Sequence, residues 1–113
     1  MKVKVTDQIL DYKGKPILDK DENEKDIPMT WRSIVFMSLQ NFTRDEQQGQ
    51  IPTDTKIKCH IITERVFSSD EPDLTAEERT FILDRIGKII INPLIVGRAK
   101  DVFEDKKEEE KKS

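Results

Sequence analysis

The chain has 113 residues, of which 35% are hydrophobic and 38% are charged, and its net charge is −3 at pH 7. This length suits one domain with a modest core, and the negative charge argues against a broad electrostatic grip on nucleic acid or anionic lipid. The single cysteine, Cys59, excludes an intrachain disulfide and a Cys-rich zinc site.

The start of the chain lacks the apolar segment of a signal peptide, and no apolar run is long enough to span a membrane. We therefore expect a cytoplasmic protein with no membrane contact. A lone cysteine fits a reducing compartment.

The N-terminal residues are predicted to form a short β-hairpin. Residues 2–5 alternate Lys with Val, which is typical of a half-buried strand. The segment Lys13-Gly14-Lys15-Pro16 indicates a turn in which Gly14 supplies conformational freedom, and Ile17 and Leu18 follow as a second strand.

Residues 19–26 are all polar and include five acids. Asp19, Asp21 and Asn23 match the first three ligand positions of a calcium-binding loop. The match then fails, because Glu24 stands where such a loop needs glycine and Thr30 where it needs a bidentate Glu. We predict a solvated loop and no metal site.

A first helix is predicted after Met29, with Thr30 as its N-cap. One apolar stripe along it consists of Trp31, Ile34, Val35, Leu39 and Phe42. Phe36 and Met37 fall outside this stripe, so the helix is either buried on a second side or presents them to a partner. For Trp31, a buried core anchor is favoured over an exposed binding residue. The candidate partner-binding face consists of Trp31, Phe36 and Met37.

The segment 53–69 fits two structures. Ile57, Cys59 and Ile61 alternate with polar residues as in a strand, whereas Ile57 with Ile61, and Cys59 with Ile62 and Val66, fit two faces of a helix. Its length and a capping residue at Thr53 or Asp54 favour a helix.

Two further helices follow. Thr75 and Glu78 form a capping box, and an isoleucine-rich stripe from Ile82 to Ile90 lies behind it. Asn92 is predicted to cap a last helix with Pro93 in its first turn. The predicted fold is thus α+β, mainly α, with the hairpin packed on three or four helices. Residues 1–103 form one domain, and 104–113 a charged, disordered tail.

No catalytic centre is predicted, and no cofactor. Cys59 and His60 are adjacent, which points their side chains in different directions, and we expect a buried Cys beside an exposed His. Asp84 with Arg85, and Arg98 with Asp101, are expected to be surface ion pairs. We predict that the chain is not an enzyme.

Several of these features together resemble small proteins encoded by tailed bacteriophages. They are the opening Ile9-Leu10-Asp11-Tyr12-Lys13-Gly14-Lys15-Pro16-Ile17, the helix start at Met29-Thr30, the box Leu74-Thr75-Ala76-Glu77-Glu78, and the ending Ile95-Val96-Gly97-Arg98 with Val102-Phe103-Glu104. The resemblance extends from Lys2 to Glu104. It implies no catalytic residue.

This resemblance implies a phage accessory protein that acts by protein–protein contact, in particle (tail) assembly or as a minor structural component, within the host cytoplasm. A host-directed inhibitor is the alternative of the same kind, and a nucleic-acid-associated regulator is the rival class. A protein partner is expected, and isoleucine-rich helices also allow a homo-oligomer. The net charge argues against nucleic acid as the partner.

Overall fold

The computed structural model describes residues 1–104. An antiparallel hairpin of two strands, β1 (Leu18–Lys20) and β2 (Asp26–Pro28), precedes helices α1 (Trp31–Gln40), α2 (Arg44–Gln48), α3 (Thr53–Ser68), α4 (Ala76–Ile89) and α5 (Pro93–Phe103). The predicted fold class, α+β and mainly α, is confirmed, with four full helices and one short one. Apart from Glu104, the predicted tail 104–113 lies outside the described residues.

The position predicted for the hairpin is only partly right. The chain does pair across the predicted turn, where Ile17 N donates to Ile9 O at 2.9 Å, but residues 2–5 are not the first strand of the hairpin. β1 pairs with β2 around residues 21–25, with Asp19 opposite Ile27, so the ends of the predicted acidic loop are strands. Residues 2–5 instead run beside the loop before α4, where Val3 N donates to Pro72 O at 3.1 Å and Val5 N donates to Asp70 O at 3.0 Å. Alternation correctly indicated that both valines face the core, but it carries no information about the pairing partner.

The two turns of the N-terminal region are each organised by one aspartate. Asp11 Oδ1 accepts from the backbone N of Lys13 at 2.8 Å and of Lys15 at 3.0 Å, and Gly14 adopts a φ of 80°. The predicted turn at residues 13–16 is therefore confirmed. Asp21 does the same in the hairpin, accepting from the N–H groups two and four residues later.

Helix α1 lies at the centre of the fold, where it packs against α3 and α4, and α5 packs on α4. Its stripe of Trp31, Ile34, Val35 and Leu39 is buried, as predicted. Trp31 meets Phe103 of α5 edge to face, with ring centroids 5.8 Å apart, which joins the start of α1 to the end of the last helix.

The predicted helix caps are confirmed. Thr30 Oγ1 accepts from the N–H three residues later at 3.4 Å. Thr75 and Glu78 form the reciprocal capping box, with distances of 3.1 and 2.9 Å. Asn92 Oδ1 accepts from the N–H two residues later at 2.9 Å, and Pro93 opens α5. These residues set where three helices begin, so their role is structural.

Residues 53–68 are helical as predicted, but neither Thr53 nor Asp54 is the cap. The N-cap position is Pro52, which makes no side-chain cap hydrogen bond. The short helix α2 was not predicted, although Thr43 and Glu46 form a second capping box at its start. The spacing of these two residues in the sequence is the signal that could have located it.

Arg85 is a buried anchor, so its predicted role in a surface pair with Asp84 is wrong. Its side chain donates to the carboxylate of Glu46, to Asn41 O at 2.6 Å and to Ser38 O at 3.4 Å, and it stacks 4.7 Å from the ring of Phe42. It thereby ties α4 to the end of α1 and to α2. Arg85 lies on the core side of α4, where a charge persists only because every donor has a partner.

Candidate protein-binding surface

The outer side of α1 carries two large apolar side chains. The core stripe occupies one side of the helix, so Phe36 and Met37 point away from it and are 47% and 41% exposed. Of the two alternatives for these residues, burial on a second side is excluded. They lie on the surface of the described chain.

Phe67, near the end of α3, completes the apolar surface. Its ring meets that of Phe36 edge to face, with centroids 5.7 Å apart and an interplanar angle of 83°, and it remains 51% exposed. Such a contact favours one relative orientation of the two rings, and about half of each side chain stays exposed.

Arg32 holds this end of α3 in place. Its guanidinium lies 5.4 Å from the centroid of Phe67, and it donates to Ser69 O at 2.7 Å and to Val66 O at 3.3 Å. A carboxylate oxygen of Asp70 lies 3.6 Å from the guanidinium of Arg32. The carbonyls at the end of a helix carry partial negative charge, so a cation is favoured there. Arg32 therefore joins the end of α3 to α1 directly beside the ring of Phe67.

Asp19 of β1 also lines this surface. Together Asp19, Arg32, Phe36, Met37 and Phe67 border an open groove of about 340 Å³, which we call the Phe36–Phe67 groove. Asn41 closes one end, where its side-chain amide donates to Met37 O at 2.7 Å. The groove is lined mainly by apolar surface and includes one charge of each sign, so it suits an apolar side chain with polar neighbours.

Trp31 does not belong to this surface. It is 4% exposed and lies on the opposite side of α1, against Phe103. The candidate face of Trp31, Phe36 and Met37 is therefore corrected to Phe36 and Met37 alone, because residues five apart on a helix point in very different directions. The interpretation of Trp31 as a core anchor is confirmed.

Sequence reasoning missed Phe67, Arg32 and Asp19 as members of the surface. Phe67 belongs to neither apolar stripe of α3, which is the same signal that singled out Phe36 and Met37 on α1. Nothing in the sequence shows that Phe67 of α3 contacts Phe36 of α1. That contact depends on how the two helices cross. Arg32 and Asp19 carry no comparable signal.

The remaining candidates for chemistry are held in structural contacts. Cys59 is buried, and burial raises the pKa of its thiol, whereas His60 is exposed and lies 2.8 Å from Glu64. Arg98 does not pair with Asp101; it donates to Asp11 O at 3.2 Å. Within residues 1–104, no group of three or more His, Cys, Asp or Glu side chains is arranged to hold a metal ion.

No helix among the described residues has both the length and the apolar content needed to cross a membrane. No family model, curated protein or solved structure matches the chain. Its function has to be inferred from its own residues.

Proposed function

We propose that this chain is a non-catalytic accessory protein that acts by protein–protein contact, and that the Phe36–Phe67 groove is its binding surface. One observation carries the proposal: three large apolar side chains, Phe36, Met37 and Phe67, are each 41–51% exposed and lie together in a groove. Burying roughly 100 Å² of each, at about 25 cal/mol per Å², would contribute several kcal/mol to association.

The composition of the groove also fits a binding role. Aromatic and arginine side chains dominate the residues that supply most of the energy in protein interfaces. Here two phenylalanines and Arg32 already contact one another in the unbound chain. A partner would not have to order them, so less of the interaction energy is lost on binding.

The charges elsewhere favour protein over nucleic acid as the partner. Two of the basic side chains of α3, Lys58 and Arg65, lie 3.0 Å from Glu77 and 3.1 Å from Glu78, respectively. These acids offset the positive charge that a phosphate backbone would need. The resemblance to small tailed-phage proteins supports particle assembly, or a minor structural component, as the setting of the contact.

The test is affinity capture of the tagged chain from cells that naturally produce it, followed by mass spectrometry. The wild type is compared with Phe67→Asp and with Ile91→Asp, a control at a side chain that is 95% exposed and lies outside the groove. We expect a partner that the wild type and the control recover and Phe67→Asp loses. Calorimetry with the purified partner should then show at least a tenfold weaker Kd for Phe67→Asp.

The identity of the recovered protein separates the proposed roles. Particle or tail proteins would support assembly, whereas a host enzyme would contradict assembly and favour an inhibitor. Equal recovery by all three chains would overturn the groove as the binding surface.

A further inference from the structure

A second apolar stripe lies on the outer side of α3, opposite its core-facing residues. Ile57 and Ile61 are one helical turn apart and are 50% and 47% exposed, while Cys59, Ile62 and Val66 on the other side are buried. Phe67 is also exposed, but it projects from the side of α3 that faces Phe36 and Arg32 of α1, so it borders this stripe and does not continue it. An amphipathic helix in a lone domain needs one apolar side, and α3 has two.

We propose that a second copy of this chain covers this surface, with the two α3 helices packed antiparallel about a two-fold axis that crosses the outer side of α3 at the level of residue 62. The proposal rests on the Phe36–Phe67 groove being a protein-binding surface, and it names the occupant. In this arrangement Ile57 of each copy enters the groove of the other beside Phe67.

The order of residues along α3 fits an antiparallel pair. Ile57 and Phe67 are equally far from Ile62, so reversing the helix places each opposite the other. His60 and Glu64 are likewise symmetric about Ile62, and they already lie 2.8 Å apart within one chain. A two-fold axis therefore sets Ile57 of one copy opposite Phe67 of the other, and His60 opposite Glu64. Pairing between different residues of two identical surfaces is what a self-complementary interface requires.

Charges at the two ends of α3 are complementary in part: Lys56 can meet the acidic loop of the other copy, whereas Asp54 falls opposite Asp70. Lys56 is exposed beside Ile57 at the start of the helix, whereas Asp70 and Glu71 are exposed just beyond its end. Antiparallel packing brings Lys56 of one copy towards the acidic loop of the other. Parallel packing would instead set each charge beside its own kind.

The available area is near the lower limit for a specific dimer. Five side chains contribute, namely Phe36, Met37, Ile57, Ile61 and Phe67, each about half exposed. At roughly 200 Å² for a whole large side chain, pairing would remove on the order of 500 Å² per copy, or about 1,000 Å² in total. We therefore expect a reversible dimer with a Kd on the order of micromolar.

Sedimentation velocity of the full chain, from about 1 to about 500 µM, measures this equilibrium. We expect the wild type to pass from monomer to dimer over this range. Ile57→Asp should weaken the dimer at least tenfold, because it places a carboxylate in an apolar contact, whereas the matched control Ile91→Asp should dimerise like the wild type. Circular dichroism checks that both variants stay folded, and Ile61→Asp serves as a second variant should Ile57→Asp unfold.

The orientation is tested by mixing two cysteine variants under mild oxidation. Lys56→Cys and Ser68→Cys are symmetric about Ile62 and leave every apolar contact in place. We expect a cross-link between the two different variants and far less within either one alone, whereas parallel helices would cross-link each variant to itself. A wild type that stays monomeric at all concentrations, or an Ile57→Asp variant that dimerises normally, would overturn the dimer.

These failures are separable from failure of the proposed function. A monomeric wild type that still captures another protein through Phe67 would refute only the second copy as the occupant. Capture that is insensitive to Phe67 would refute the groove itself.

Discussion

Two arginines make the same kinds of contact in two regions of the molecule, with different consequences. Arg85 donates to carbonyls at the end of α1 and stacks on Phe42, and Arg32 donates to carbonyls at the end of α3 and stacks on Phe67. Each joins the end of a helix to a neighbouring element.

The surroundings of the two arginines differ. Arg85 is 2% exposed and is neutralised by Glu46, whereas the Arg32 side chain is 24% exposed and Phe67 beside it is 51% exposed. The first cluster is closed and stabilises the fold, and the second leaves apolar area free for a partner. The same kinds of contact form a buried junction around Arg85 and border an exposed apolar surface around Arg32.

The largest expected effect contrasts the two sides of α1. Trp31→Ala removes a buried side chain that packs on Phe103, so we expect a loss of about 4 kcal/mol in the free energy of unfolding. Phe36→Ala, on the exposed side of the same helix, should cost about 1 kcal/mol or less. Urea denaturation followed by circular dichroism measures both. Equal losses would contradict the assignment of the two sides.

Arg85→Met should cost about 3 kcal/mol, because it leaves the carbonyls of Ser38 and Asn41 and the carboxylate of Glu46 without their donor. The control is Lys88→Met, in an exposed pair with Asp84 at 3.3 Å, which should change stability by less than about 0.5 kcal/mol. A variant of Arg85 as stable as this control would show that the closed cluster contributes little.

Acid should weaken the closed cluster. The hydrogen bond from Arg85, and then the backbone N–H of Thr43, lower the pKa of Glu46 from 4.5 to about 2. Since the folded pKa is the lower one, this stabilisation is fully present above pH 4.5 and is lost as the pH falls towards 2.

Urea midpoints measured across this pH range should therefore fall more steeply for the wild type than for Glu46→Gln. The difference between the two curves isolates the contribution of Glu46. Parallel curves would mean that Arg85 does not favour the ionised carboxylate.

The smallest expected effect lies in the open cluster. Arg32→Met should cost about 1 kcal/mol, since water can reach the carbonyls of Val66 and Ser69 that it leaves. Its effect on binding should be larger than its effect on stability, because Phe67 loses a group that it contacts. Urea denaturation measures the loss of stability, and a titration of the partner or of the dimer measures the loss of binding. A loss of stability as large as for Arg85→Met would remove the contrast between the clusters.

Local signals in the sequence were sufficient to place the starts of three of the helices. The capping residues Thr30, Thr75 and Asn92, and the apolar stripes behind them, specify where α1, α4 and α5 begin and which side faces the core. These features act within about one helical turn, so neighbouring residues contain all the information they need.

Tertiary structure alone decided how distant segments pair. The alternation of Val3 and Val5 predicted a half-buried strand, but only the packed chain places it beside Asp70 and Pro72 instead of Ile17. Arg85 likewise gave no local sign of burial, because its partners lie 39 to 47 residues away.

The candidate surface combines both kinds of information. The sequence by itself determined that Phe36 and Met37 fall off the core stripe, since helical spacing fixes the direction of each side chain. That they meet Phe67, and that Asp19 lines the groove, depends on how α1 crosses α3 and where the hairpin packs. Crossing angles follow from the fit of whole surfaces, which no short stretch of sequence encodes.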